Sequence, residues 1–171
     1  SAPVDTSVRF EASTADGTAT APSDYTAVVD RPWSINTGLT TLDLVFTVKG
    51  DAAFEPDEAF TVLLTNLTAS GRDVTFADAS ANVRILNNDS TPNVTLSASP
   101  TTIPENGGTS TLTATLSTTS TEDVTVALAY SNANATGPAS IVVPAGDLTA
   151  TGTVTAVDNA IDEPDRTVQV S

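Results

Sequence analysis

The chain contains no cysteine and no histidine. Without cysteine the fold cannot be held by disulfides, and without either residue the usual nucleophilic triads and zinc sites are excluded. The absence of disulfides is neutral about compartment, because a bound metal can staple an extracellular module instead. Basic residues are scarce too: Lys49 is the single lysine and the net charge is −15. No basic face exists to neutralise phosphates, which excludes nucleic acid as a partner. An anionic membrane surface is excluded on the same ground, and divalent cations are the natural counter-charge. No apolar run approaches the roughly 18 residues of a membrane span, so no membrane insertion is expected. Aromatic residues make up 5% of the chain, so Val, Leu, Ile and Ala must build the core. No stretch carries a helical period. There is no signal peptide, and the first residue falls at the start of a strand pattern, so the chain reads as cut from something longer.

What the sequence has in abundance is threonine, valine and acid. Thr and Val favour strands. The acid is concentrated. Residues 50–60 place Asp51, Glu55, Asp57 and Glu58 within eight positions, between two runs that alternate like strands. Residues 158–168 repeat the arrangement with Asp158, Asp162, Glu163 and Asp165, and Glu-Pro-Asp recurs letter for letter. Like charges this dense repel. Either water screens them on a loop or a hard cation sits among them.

Alternation of apolar and polar positions predicts strands over residues 6–12, 40–48, 60–65 and 81–86. Asp16-Gly17 signals a tight turn, residues 18–25 form a loop carrying Asp24, and residues 26–36 read as irregular, holding Trp33 after a proline. The polar run 87–92 ends in proline and marks a domain boundary, giving domains 1–90 and 91–171. A second alternating series covers residues 94–98, 111–116, 124–128, 141–143, 148–157 and 168–170. Residues 104–108 interrupt it as a turn carrying Glu105. Short strands at regular spacing with turn residues between them indicate an all-β fold of two tandem immunoglobulin-like antiparallel β-sandwiches. The halves repeat out of phase with the chain ends. Residues 2–10 match the neighbourhood of 119–128, and 50–62 match 158–170. The first domain is therefore expected to lack its opening strands and the second its closing strand.

These residues resemble the Calx-β family, the calcium-binding sandwich of sodium–calcium exchangers, integrin β4 and many bacterial surface proteins. The resemblance is carried by Asp16-Gly17-Thr18-Ala19 leading to Asp24-Tyr25, by Gly50-Asp51 followed by Glu55-Pro56-Asp57-Glu58-Ala59-Phe60, and by Ile85-Leu86-Asn87-Asn88-Asp89. In the second half it is carried by Pro104-Glu105-Asn106-Gly107-Gly108 and by Asp158-Asn159 with Asp162-Glu163-Pro164-Asp165. It covers essentially the whole chain as two incomplete copies. The resemblance implies Ca2+ at one end of each sandwich. Carried over by position, the first site comprises Asp24, Asp51, Glu55 and Glu58, with Asp89 and the carbonyls of Asn87 and Asn88. The second comprises Glu105, Asp158 and Glu163. Departures from the family pattern make both sites partial. Two of the three closing aspartates of the first are asparagine, and Gly137-Pro138-Ala139-Ser140 stands where the second should have Asp-Tyr. Weak calcium binding or none is expected in this stretch.

Calcium takes six to eight oxygens, and the first half offers about that many candidates at one end. The bland reading is that the acidic loops are solvated and keep the protein soluble. Magnesium fits less well because it demands octahedral geometry, and neither stretch has EF-hand spacing. Glu55 and Glu58 as a glycosidase pair lack a cleft with aromatic platforms. Trp33 reads as a core or edge plug. Asn66-Leu67-Thr68 and Asn93-Val94-Thr95 match the glycosylation sequon, as Thr-rich chains do by chance. The expected function is a non-catalytic structural or adhesive repeat module of a large extracellular protein of the bacterial surface type. Calcium would stiffen the junction near residues 87–92. Expected partners are neighbouring repeats or like protomers. Incomplete sandwiches expose edges that recruit strands, which would build a filament. Two other classes remain open: a calcium-sensing regulatory module, and an appended domain of a secreted enzyme.

Overall fold

The computed structural model describes residues 3–159, 161 and 164–171. All regular elements among them are strands. The chain divides into two compact units, one made of Ser1–Asp51 with Pro56–Asn87, the other of Ala52–Glu55 with Asn88–Ser171. Each is an antiparallel β-sandwich.

In the first unit a four-stranded sheet runs in the order β2 (Arg31–Ile35), β1 (Val8–Ala15), β3 (Glu58–Ala69), β4 (Ser80–Ile85). Strand β1 alternates as its sequence requires, burying Phe10 and Ala12. Strand β3 buries Phe60 and Val62, and Tyr25 stacks on Phe60 with ring centroids 4.1 Å apart and planes 11° apart. Phe46 meets Phe60 edge-on at 6.3 Å. Offset and edge-on aromatic contacts are favourable beyond the area they bury, so three rings make up for an otherwise aliphatic core.

Two stretches differ from the sequence expectation. Residues 26–36 are not irregular throughout, since β2 pairs with β1 and sets Trp33 opposite Phe10. Pro32 lowers the strand signal, but β2 is an edge strand, where the missing N–H costs no ladder bond. Residues 40–48 form no strand; Val48 makes an isolated bridge to Tyr25. Their alternation survives all the same, with Leu42, Leu44 and Phe46 half-buried and Thr41, Asp43, Val45 and Thr47 exposed. A period of two reports which side chains face the core. It does not guarantee a partner strand along the whole length.

In the second unit, a sheet ordered β5 (Val94–Ser99), β6 (Thr109–Leu116), β10 (Thr149–Ala156), β8 (Ala135–Thr136) accompanies the two-stranded ladder of β7 (Val124–Ala127) and β9 (Ser140–Val143). Leu112, Ala114 and Leu116 from β6 pack with Val154, Ile141, Val143 and Ala135. This core contains no phenylalanine, and burying each large aliphatic side chain contributes about 1.5–3 kcal/mol. Residues 168–170 are not a full strand: Val170 bridges Tyr130, and the Ser171 and Ala129 backbones exchange two hydrogen bonds, of 2.8 and 3.0 Å. The segment Ala52–Glu55 joins this unit through a parallel bridge from Phe54 to Ser120.

Candidate metal centre

The site begins with the turn that follows β1. Asp16-Gly17-Thr18-Ala19 folds the chain back onto β3. There the Ala19 N–H donates to the Ala59 carbonyl at 3.0 Å, and the Ala59 N–H donates to Thr18 Oγ1 at 2.8 Å. A Cβ on Gly17 would lie 2.4 Å from the Ala59 carbonyl oxygen, so only glycine lets the two backbones come this close. Asp16 then clamps the loop. Its Oδ1 accepts from the Tyr25 hydroxyl at 2.5 Å and from the Ala21 N–H at 3.0 Å. The hydrogen bond from Tyr25, then that from Ala21, holds the Asp16 carboxyl below the usual carboxylate range. The Tyr25 phenol is pushed up, by burial first and by Asp16 second.

With Tyr25 anchored, Asp24 is delivered to the start of β3. Asp24 Oδ2 accepts from the Thr20 N–H at 2.6 Å and from the Thr20 hydroxyl at 3.3 Å. Burial acts to raise its pKa, but the donors of Thr20 and Ser23 and a hydrogen bond with the Glu58 carboxyl outweigh it, and the net position is below the ordinary value. An oxygen from each of Asp24, Glu55 and Glu58 lies within 4.8 Å of the others, and all three residues are half-buried. No other group of three acidic residues this close exists among the described residues. When all three are ionised, their mutual repulsion is on the order of 1–3 kcal/mol per pair, depending on screening.

The remaining predicted residues are distributed differently. Asp51 is exposed, Asp89 is half-buried, and neither is among the three. Asn87 is half-buried, and its N–H donates to Asp57 Oδ1 at 2.8 Å. Asp57 also pairs with Arg84 at 2.5 Å, so this carboxylate ties β4 to the acidic loop. In the second unit Glu105 Oε1 accepts from the Asn159 side-chain amide at 2.7 Å, next to the exposed Asp158. Glu163 lies outside the described residues. Sequence reasoning missed the clamping role of Asp16. Its signal was the Asp-Gly pair nine residues before a tyrosine, read only as a turn. Asp57 and Arg84 had no signal, being far apart in sequence.

Two oxygens each about 2.4 Å from one calcium ion stand no more than about 4.8 Å apart. Asp24, Glu55 and Glu58 meet that limit and supply hard, anionic oxygens. Three carboxylates are half or less of a calcium shell, so the rest must come from carbonyls and water.

Two antiparallel sandwiches in tandem, with carboxylates gathered where β3 of the first begins, define a class of all-β repeat with an acidic loop. Residues 1–89 and 87–170 each match the Calx-beta domain, and the chain belongs to that family. No curated protein matches it. Among solved structures it is similar to the apo form of the Calx CBD1 domain, with 30% identity and a TM-score of 0.44, covering 50% of this chain and 73% of that one. It is also similar to CBD12 from CALX1.2, with 20% identity and a TM-score of 0.45, covering 91% of this chain and 65% of that one. The calcium binding domain CBD12 of CALX1.1 gives 21% identity and a TM-score of 0.45, covering 90% of this chain. The chain spans 65% and 64% of the length of those last two.

Proposed function

We propose that the chain is a non-catalytic, calcium-binding structural repeat of a larger extracellular protein. The observation that carries the reading is the convergence of Asp24, Glu55 and Glu58 in a member of this family. Asp24, Glu55 and Glu58 hold the ion, which supplies positive charge that cancels their repulsion and fixes the acidic loop. Asp16 and Tyr25 act indirectly, by positioning Asp24. An ordered loop suits a stalk or adhesive segment that carries load between neighbouring repeats, with residues 87–92 stiffened when the ion is bound.

Thermal unfolding with millimolar calcium and then with chelator tests this. A ligand at a hundred times its Kd adds about 2.7 kcal/mol, so the melting temperature rises with calcium and returns with chelator. Asp24→Asn combined with Glu58→Gln abolishes the rise. An identical melting temperature in calcium and in chelator removes the metal from the account.

A further inference from the structure

Beyond the carboxylate group, and independent of whether it holds an ion, we propose that the end of the first unit's sheet is a binding site for a carboxylated sugar, with Arg9 as its anchor. The protein has six basic side chains against twenty-one acidic ones. Five of the six are engaged. Arg72 pairs with Asp5, Arg84 with Asp57, Arg31 stacks 4.7 Å from the Trp33 ring, Lys49 donates to the Pro22 carbonyl, and Arg166 donates to Asn134 Oδ1 at 3.3 Å. The Arg9 side chain alone makes no hydrogen bond, ion pair or ring contact among the described residues. In so acidic a chain this is not for want of carboxylates. Glu11, two positions on along the same face of β1, accepts from the Asn66 amide instead.

Arg9 lines an open groove of about 600 Å³ with Thr6, Ser7, Thr37, Thr68, Ala69 and Ser70. The groove has a structural origin. Strand β1 begins here while β2 and β3 end, so Arg9 sits in register between Ser34 and Thr68, one pair in from the end of both ladders. Val4 exchanges backbone hydrogen bonds of 3.1 and 2.9 Å with Leu39 and Gly38. Asp5, on the segment leading into β1, is paired with Arg72.

A guanidinium presents a planar fork that matches a carboxylate, and the match is bidentate and charge-assisted. Five hydroxyls both donate and accept, which suits a polyol. No aromatic lines the groove, so ring stacking cannot hold a neutral sugar, and the acid group must anchor the ligand. A doubly charged phosphate is disfavoured by the field of a −15 chain more than a single carboxylate is. The volume accommodates one or two sugar residues. A single exposed anchor gives weak affinity, which tandem repeats would raise by multivalency.

The test is a titration of the isotope-labelled chain followed by amide chemical shifts, using sodium glucuronate, with glucose and sodium chloride as controls. Saturable shifts at Thr6, Ser7, Thr68 and Ser70 are expected with glucuronate alone. Arg9→Ala weakens them at least about tenfold, and Arg9→Lys less, since it keeps the charge but loses the fork. Arg9 is exposed and partnerless, so the variants keep the wild-type spectrum elsewhere; Thr68→Val supplies a second probe that leaves the charge in place and weakens binding. Equal shifts with glucose or salt, no saturation by about 50 mM glucuronate, or full binding by Arg9→Ala would each overturn the proposal.

Discussion

At the scale of single residues, the two glycines flanking the acidic apparatus make opposite demands. Gly17 faces the Ala59 carbonyl at a distance no side chain tolerates, whereas Gly50 has nothing within 4 Å of its would-be Cβ. Gly17→Ala must push the turn off β3, lose the Thr18 and Ala19 hydrogen bonds to Ala59, and displace Asp16 from Tyr25. The expected cost is about 2 kcal/mol or more, the range for overpacking against rigid backbone. Gly50→Ala stays within about 0.5 kcal/mol of the parent, as open surface substitutions do. Urea midpoints of the two variants decide the matter. Equal midpoints would mean that the turn yields freely and that Gly17 is not a structural requirement. Both glycines were visible in the sequence as motif members. Their difference was not, because it depends on a backbone more than forty residues away, in β3.

Elements show the same division between local pattern and distant partner. Strand β3 was expected over six residues and runs for twelve, Glu58–Ala69. The extension changes phase. Arg9 pairs with Thr68 and Glu11 with Thr65, so Asn66 and Leu67 together face Phe10 in a bulge. Asn66 takes a left-handed φ of 53°, which asparagine tolerates better than most residues. Before the bulge Val62 and Leu64 turn inward; after it Leu67 and Ala69 do. A pattern that breaks step looks like the end of a strand, so alternation predicts β3 only as far as residue 65. Strand β8, two residues long, carried no pattern to read. The bulge makes a prediction. Asn66→Val forces a β-branched residue into the left-handed region and costs about 1–3 kcal/mol, while Asn66→Gly, which accepts that conformation, costs less despite losing the amide bond to Glu11. Melting temperatures in the reverse order would show that the side-chain bond, not the backbone angle, fixes the bulge.

Across the whole molecule, charge is distributed by unit and by element. Among the described residues, the six strands of the second unit contain no charged residue, so each described acid there lies outside the strands. The first unit instead puts charge on its strands: Arg9 and Glu11 on β1, Arg31 on β2, Glu58 at the start of β3, Arg84 on β4. Monovalent salt should therefore stabilise both units diffusely by screening, whereas calcium should act where carboxylates converge. The single tryptophan, Trp33, belongs to the first unit, so its fluorescence reports that unit, while far-ultraviolet ellipticity reports both. Two-unit chains need not unfold in one step. Asp24 and Glu58 lie in the first unit, so calcium is expected to move the fluorescence transition upward, at concentrations where equal ionic strength of sodium chloride moves it by less. Should calcium shift ellipticity and leave fluorescence unchanged, the ion belongs instead to the second unit, near Glu105 and Asp158, and the three-carboxylate group of Asp24, Glu55 and Glu58 is an acidic surface screened by water.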